Sequence, residues 1–317
     1  MNIRKAISPR TLVAVATAAA AVTVVSVVLA QPSSAVRSSA VSTTQVQWDL
    51  AGMGYLALSG VGGASDSQTT AAVKAFQTDR CLAVDGIVGT ETGEELSAQV
   101  TQVQEIAGAG LDGEYGPKTE ASVTTWQAAN GLPQTGQVDA ATETAMNMVR
   151  VRDCTTPSPS ELGARIVQLA GQEAANAKHN REIGGYNCNY YTTALGLGGT
   201  GDSCSNGWKT EAWCADFGKW VWMQSGVDTT GVNAVYNSFE TYGKNQGTWH
   251  TSSPQPGDAI VFDFGHAGLV VSATSTDVTY ISGNTSNPAD GQDDAVLKKT
   301  VSTSYSSIVG YATPVAR

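Results

Sequence analysis

Glu211-Ala212-Trp213-Cys214-Ala215-Asp216-Phe217 opens an apolar helix pattern that continues through Trp220 and Val221, and Phe264-Gly265-His266-Ala267-Gly268-Leu269-Val270-Val271 reads as a strand. Upstream, Ser158 and Glu161 have the spacing of a capping box before Leu162, Ile166 and Leu169, which fall on one helical face. A third helix is expected around Val235, Phe239 and Tyr242. Past Pro256-Gly257-Asp258 the texture changes to short β-branched runs at 259–264, 267–272, 278–282 and 308–313. Helices followed by an antiparallel sheet predict an α+β domain over residues 161–317.

A thiol at a helix start meets unpaired backbone N–H groups and the positive end of the helix dipole, both of which favour thiolate. An imidazole on a neighbouring strand can take the thiol proton and later hand it to a leaving amine. Cys214 and His266 are therefore candidate nucleophile and general base. Buried cysteines are also common as inert small hydrophobes, and strand histidines as structural residues, so these two positions alone leave both roles open.

The 317 residues, 41% hydrophobic and 15% charged, fit two or three globular domains. Arg4, Lys5 and Arg10 precede an uncharged apolar run over 11–30, the pattern of a secretory signal peptide. Cleavage after Ala30 or Ala35 fits small-residue spacing, and residues 1–35 are taken as the leader; an uncleaved membrane anchor is the alternative. Export predicts a secreted, extracellular or wall-associated protein with no stable membrane association after cleavage. The formal charge is −10, and −13 without the three basic leader residues, so nucleic acid is not expected as a partner. Oligomerisation has no signal, and a monomer is the default.

Five cysteines, Cys81, Cys154, Cys188, Cys204 and Cys214, leave one unpaired in an exported chain. Cys188 and Cys204 flank a glycine-rich segment, where a bridge would contribute about 3 kcal/mol. Cys81 with Cys154 is the matching long-range pair, which leaves Cys214 free to react.

The chain also repeats itself. Thr69, Ala71, Val73, Gln77, Leu82, Gly86 and Thr92 recur fifty positions later as Thr119, Ala121, Val123, Gln127, Leu132, Gly136 and Thr142, with Phe76 answering to Trp126. Val46-Gln47 matches Val103-Gln104 after an offset that places extra loop near Gly60 to Gly63. Each copy predicts a short helix, a loop, a longer helix, a glycine turn and a last helix. These residues resemble the small three-helix peptidoglycan-binding repeat, which implies an all-α repeat at 36–100 and another at 101–153, with cell-wall peptide or glycan in a groove beside the central helix. The Asp112-Gly113-Glu114-Tyr115-Gly116 turn of the second copy has no counterpart in the first. Residues 154–160, rich in proline and poor in apolar side chains, read as a short stiff linker that tethers the repeats to the following domain.

Taken in order, Trp213-Cys214-Ala215-Asp216-Phe217, Pro256-Gly257-Asp258 and His266-Ala267-Gly268 resemble the CHAP family of papain-like cysteine, histidine-dependent amidohydrolases and peptidases. The resemblance spans about residues 160–315 and implies a papain-like fold that cleaves an amide of peptidoglycan, as an N-acetylmuramoyl-L-alanine amidase or a peptide endopeptidase. It makes Cys214 the nucleophile and His266 the base and acid. The family's third polar residue falls in Tyr280-Ile281-Ser282-Gly283-Asn284-Thr285. Many relatives carry glutamate where this chain has Ser282, so Asn284 becomes the candidate for fixing the imidazole tautomer. Asp258 reads as a turn and capping residue, while Glu211, Asp216 and Asp263 read as surface or supporting groups. Trp208 and Trp213 are expected to flank the cleft.

His179, His250 and His266 form no compact pair with cysteine or carboxylate at zinc spacing, so neither metal nor cofactor is expected. Some relatives bind calcium through an acidic loop, to which Asn187-Cys188-Asn189-Tyr190 and Asp202 bear only a faint likeness. The competing class is a wall-binding protein with an inactive hydrolase domain, which the Ser282 departure keeps open.

Overall fold

Buried glutamines explain the repeat. In a computed structural model that describes residues 42–198, 204–286 and 294–317, the helices α1 (Thr43–Gly52), α2 (Ser67–Asp79), α3 (Thr90–Ala107), α4 (Pro117–Ala129) and α5 (Ala140–Ala145) build the N-terminal body. Gln47, Gln77, Gln104 and Gln127 each donate to a threonine on the next helix, Thr69, Thr92, Thr119 and Thr142, at 3.1, 3.2, 3.1 and 3.0 Å. Each side-chain oxygen accepts from the N–H of a turn glycine: Gly62, Gly86, Gly113 and Gly136. A buried amide with both ends satisfied specifies the helix pairing, whereas half-satisfied it would cost about 1–3 kcal/mol. The first copy keeps this lock without the Asp-Gly turn, because the extra glycines at 62 and 63 bring their N–H groups to Gln47.

One helix serves both copies. α3 runs 18 residues without interruption through positions 100 and 101, closing the first repeat and opening the second, and ends at Gly108 in the left-handed conformation. Its Leu96 joins the core of Val46, Leu50, Val73 and Phe76, and its Val100 and Val103 join Tyr115, Val123 and Val138. Met53 reaches across from α1 into the second core.

The C-terminal body is α+β. α6 (Pro159–Ala175) starts with the expected Ser158–Glu161 capping box. After β1 (Cys188–Asn189), α7 (Tyr190–Ala194), β2 (Lys209–Thr210), α8 (Cys214–Ser225) and α9 (Ser238–Gln246) come β3 (Trp249–His250), β4 (Ala259–Phe262), β5 (His266–Ala273), β6 (Asp277–Thr285), β7 (Ala295–Ser302) and β8 (Ile308–Ala312). The six later strands form one antiparallel sheet in the order β3-β8-β4-β5-β6-β7. Alternation decides its faces: Ala259, Val261, Ala267, Leu269 and Ile281 pack under Phe217, Val221 and Phe239 of the helices, while Ile260, Phe262, Val270 and Tyr280 form a separate cluster. β3 and β7 have no counterpart among the expected runs; Lys298 and Lys299 interrupt the apolar character of the edge strand β7.

Cys81–Cys154 and Cys188–Cys204 are disulfides with Cα separations of 5.5 and 5.8 Å, and Cys214 is free. The first bridge pins the segment read as a linker back onto the end of α2. The repeats do not hang from a tether. α3 packs on α7, Ala98 enters the C-terminal core, and Glu94 pairs with Lys219 where both are buried. His179 lies between Glu105 of α3 and Glu173 of α6 at 3.1 and 3.0 Å, stacked on Tyr190. No described helix is long and apolar enough to cross a membrane. The expected leader, its anchor alternative and Asp202 lie outside the described residues.

Candidate active site

Trp213 positions the start of α8. Its indole is fully buried, donates to Glu182 at 3.1 Å and stacks on Tyr191 at 5.7 Å. A side chain is impossible at Gly283 of β6, where a Cβ would lie 2.5 Å from the Trp213 ring and 2.8 Å from Phe217. This close approach sets the helix start down on β5 and β6. The N-cap makes no side-chain hydrogen bond, so backbone N–H groups of the first turn remain available.

Cys214 therefore lies against the beginning of β5. Backbone N–H groups of Ala267, Ala215 and Cys214 lie near its sulfur, and each pulls the thiol pKa down. Burial outweighs them and, together with the Asp216 charge, pushes the thiol up. At 5% exposure the desolvation of a thiolate exceeds what a helix dipole returns, so the resting group is a thiol, contrary to the expectation from the helix start. His266, next to Ala267, is half-buried; burial and then the Lys299 charge hold its pKa down at about 4. A neutral thiol beside a neutral imidazole is the resting state at neutral pH. No hydrogen bond of this corner joins the sulfur to the ring among the described residues.

The expected orienting residue is displaced by one position. The atom 3.3 Å from His266 Nε2 is the hydroxyl of Thr285, itself 2.7 Å from the Ser282 hydroxyl. Asn284 does not hold the imidazole; its Oδ1 is buried with no partner among the described residues, and its φ is 49°. The cause is a bulge. Ser282 pairs with Leu297 and Thr285 with Ala295, so β6 carries one extra residue there. Regular alternation would put Ser282 and Asn284 on one face; the insertion gives that face to Thr285.

The carboxylates divide between the roles that the sequence left open to them. Asp216 is fully buried, accepts from Thr192 at 2.6 Å and sits beside Glu211; burial first, then mutual repulsion, raises its pKa, and burial raises that of Glu211. Asp216 supports the helix start from inside the core, with Glu211 half-buried next to it. Asp263 is exposed, and Asp258 accepts from Gln255 N–H at 2.7 Å, the turn role expected of it. Trp208 and Trp213 are core rather than cleft walls. The exposed aromatic beside the site is Phe264, 57% accessible, with its ring 6.0 Å from that of His266. Its place next to Gly265 in the β4–β5 turn was the available signal. Among the described residues no group of three or more His, Cys, Asp or Glu side chains is gathered for a metal.

A helical repeat body packed against an α+β body bearing a free cysteine defines the architecture. Residues 39–96 and 97–146 each match the family model described as a putative peptidoglycan binding domain, and association with peptidoglycan through these two repeats follows. No curated protein and no solved structure matches the chain.

Proposed function

We propose that the protein is a secreted or wall-associated peptidoglycan hydrolase, with a papain-like CHAP domain at 161–317 that cleaves an amide through Cys214. The observation that carries this reading is the free Cys214 at a helix start, near the backbone N–H of Ala267, the residue after His266, in a chain with two wall-binding repeats. The Thr285 hydroxyl has acceptor-only neighbours in the carbonyls of Gly283 and Ser282, at 3.1 and 3.3 Å, so its lone pair accepts from His266 Nε2–H. Nδ1 is then left unprotonated and serves as the base. As sulfur attacks the amide carbonyl, Nδ1 takes the thiol proton, and backbone N–H at the α8 start stabilises the oxyanion. Collapse expels the amine, which receives the proton from His266, and leaves a thioester. Water, deprotonated by the same nitrogen, then releases the acid.

The second reading, an inactive domain on a wall-binding protein, is favoured by the raised Cys214 pKa and by Ser282 in the place of a carboxylate. Turbidity loss of purified walls distinguishes the two. Wild type clears them while Cys214→Ala and iodoacetamide-treated protein do not; equal behaviour of wild type and Cys214→Ala refutes the hydrolase.

A further inference from the structure

At the far end of α8 from Cys214, a cleft of about 670 Å³ lies between α3 of the second repeat and α6 of the C-terminal body. Its volume is in the range of small-ligand sites, about 300–1,000 Å³. Gln102 comes from α3, and Gln168 and Gln172, spaced one turn apart and exposed, come from α6. Trp220, Ser225 and Arg317 line the same cleft.

Those last three carry unmet donors. Trp220 and Ser225 are 9% and 6% exposed, and the indole nitrogen and the hydroxyl are buried with no hydrogen-bond partner among the described residues. All three guanidinium nitrogens of Arg317 are in the same condition. Glu91, Glu95 and Asp228 act on Arg317 through their charges without accepting a hydrogen bond from it. Buried donors left this way each cost about 1–3 kcal/mol, which an acceptor-rich ligand would recover. A carboxylate matches a guanidinium fork, and primary amides match peptide units, since each both donates and accepts.

We propose that this cleft binds a short, carboxylate-bearing peptide of the kind found in peptidoglycan stems, with its carboxylate toward Arg317 and its peptide groups between the glutamines of α3 and α6. The stem-peptide assignment rests on the wall association of the repeats; the site does not depend on Cys214 chemistry. Because its two walls come from different bodies, the ligand also holds the repeats against the C-terminal body.

The test uses full-length Cys214→Ala protein, so that turnover plays no part, and N-acetylmuramoyl-L-alanyl-D-isoglutamine as probe. The Trp220 indole N–H resonance, assigned by its loss in Trp220→Phe, is expected to shift saturably. Arg317→Gln and the double variant Gln168→Ala/Gln172→Ala are each expected to weaken binding tenfold or more, with chemical shifts elsewhere showing that both remain folded. The same peptide with its carboxyl amidated is expected to bind at least tenfold more weakly. No Trp220 shift at millimolar probe, equal affinity for the amidated peptide, or binding indifferent to both variants overturns the proposal. Shifts confined to Trp48 and Trp126 would assign the ligand to the repeats alone and overturn it equally.

Discussion

The hydroxyl of Thr285 has carbonyls to receive its proton and an imidazole from which to accept one, so its removal frees the His266 ring to rotate and change tautomer. Thr285→Val is expected to lower kcat on wall fragments roughly tenfold or more, with Thr285→Ser retaining most of it. Equal rates in wild type and Thr285→Val would remove the hydroxyl from the mechanism. His266 supplies a pH dependence. Its folded pKa of about 4 lies below the ordinary 6.5, so between these values the unfolded chain holds the extra proton and folding stability is lost as pH falls. The acid limb of kcat/KM is accordingly expected near pH 4, and a limb near 6.5 would show that the ring is not held in this environment. Cys214 and His266 were legible as candidates because a helix start and a strand start are local patterns. Thr285 was not, since the family resemblance pointed to Asn284, and the bulge that puts Thr285 in its place is decided by pairing with β7, which local sequence does not encode.

Among the elements, α1 shows how a buried charge is tolerated. Asp49 accepts from Tyr115 N–H and Gln45 at 2.8 Å each, yet burial raises its pKa to about 7. Its folded pKa exceeds the ordinary 3.8, so the unfolded carboxyl loses its proton first and stability declines as pH rises from about 4 to 7. Asp49→Asn is expected to stabilise the fold by about 1–2 kcal/mol at pH 8 and to be neutral near pH 4, read from denaturant midpoints. The glutamine locks give an opposite case. Gln127→Leu strands the Gly136 N–H and the Thr142 hydroxyl in the core and is expected to cost about 2–3 kcal/mol. The fifty-residue recurrence was legible because the same side chains do the same bonding work in each copy. The continuity of α3 was not, because two helix patterns abutting in sequence look alike whether or not a turn separates them. β7 was obscured by the lysines that protect a sheet edge.

Across the whole molecule, the joint between the bodies is polar and buried, which makes it unforgiving. Lys219→Met removes the cation that opposes the burial-raised pKa of Glu94, so the carboxyl is left buried, unpaired and protonated, which is expected to cost about 3 kcal/mol, with faster proteolysis at residues 153–157 as the repeats release. Reducing Cys81–Cys154, which closes a separation of 73 residues, is expected to cost about 4 kcal/mol on the chain-entropy model and to lower the melting temperature at unchanged secondary structure. Composition predicted separate domains on a linker, but the proline-rich stretch carries no mark of what it is fastened to. The undivided rod of α3 has a wider consequence. Neither repeat can be excised at its own edge without truncating the other, and the same rod is the foot on which the α+β body stands. Recombination would then have to exchange residues 42–317 as a single cassette, and where the repeats settle on the wall also decides where Cys214 comes to rest.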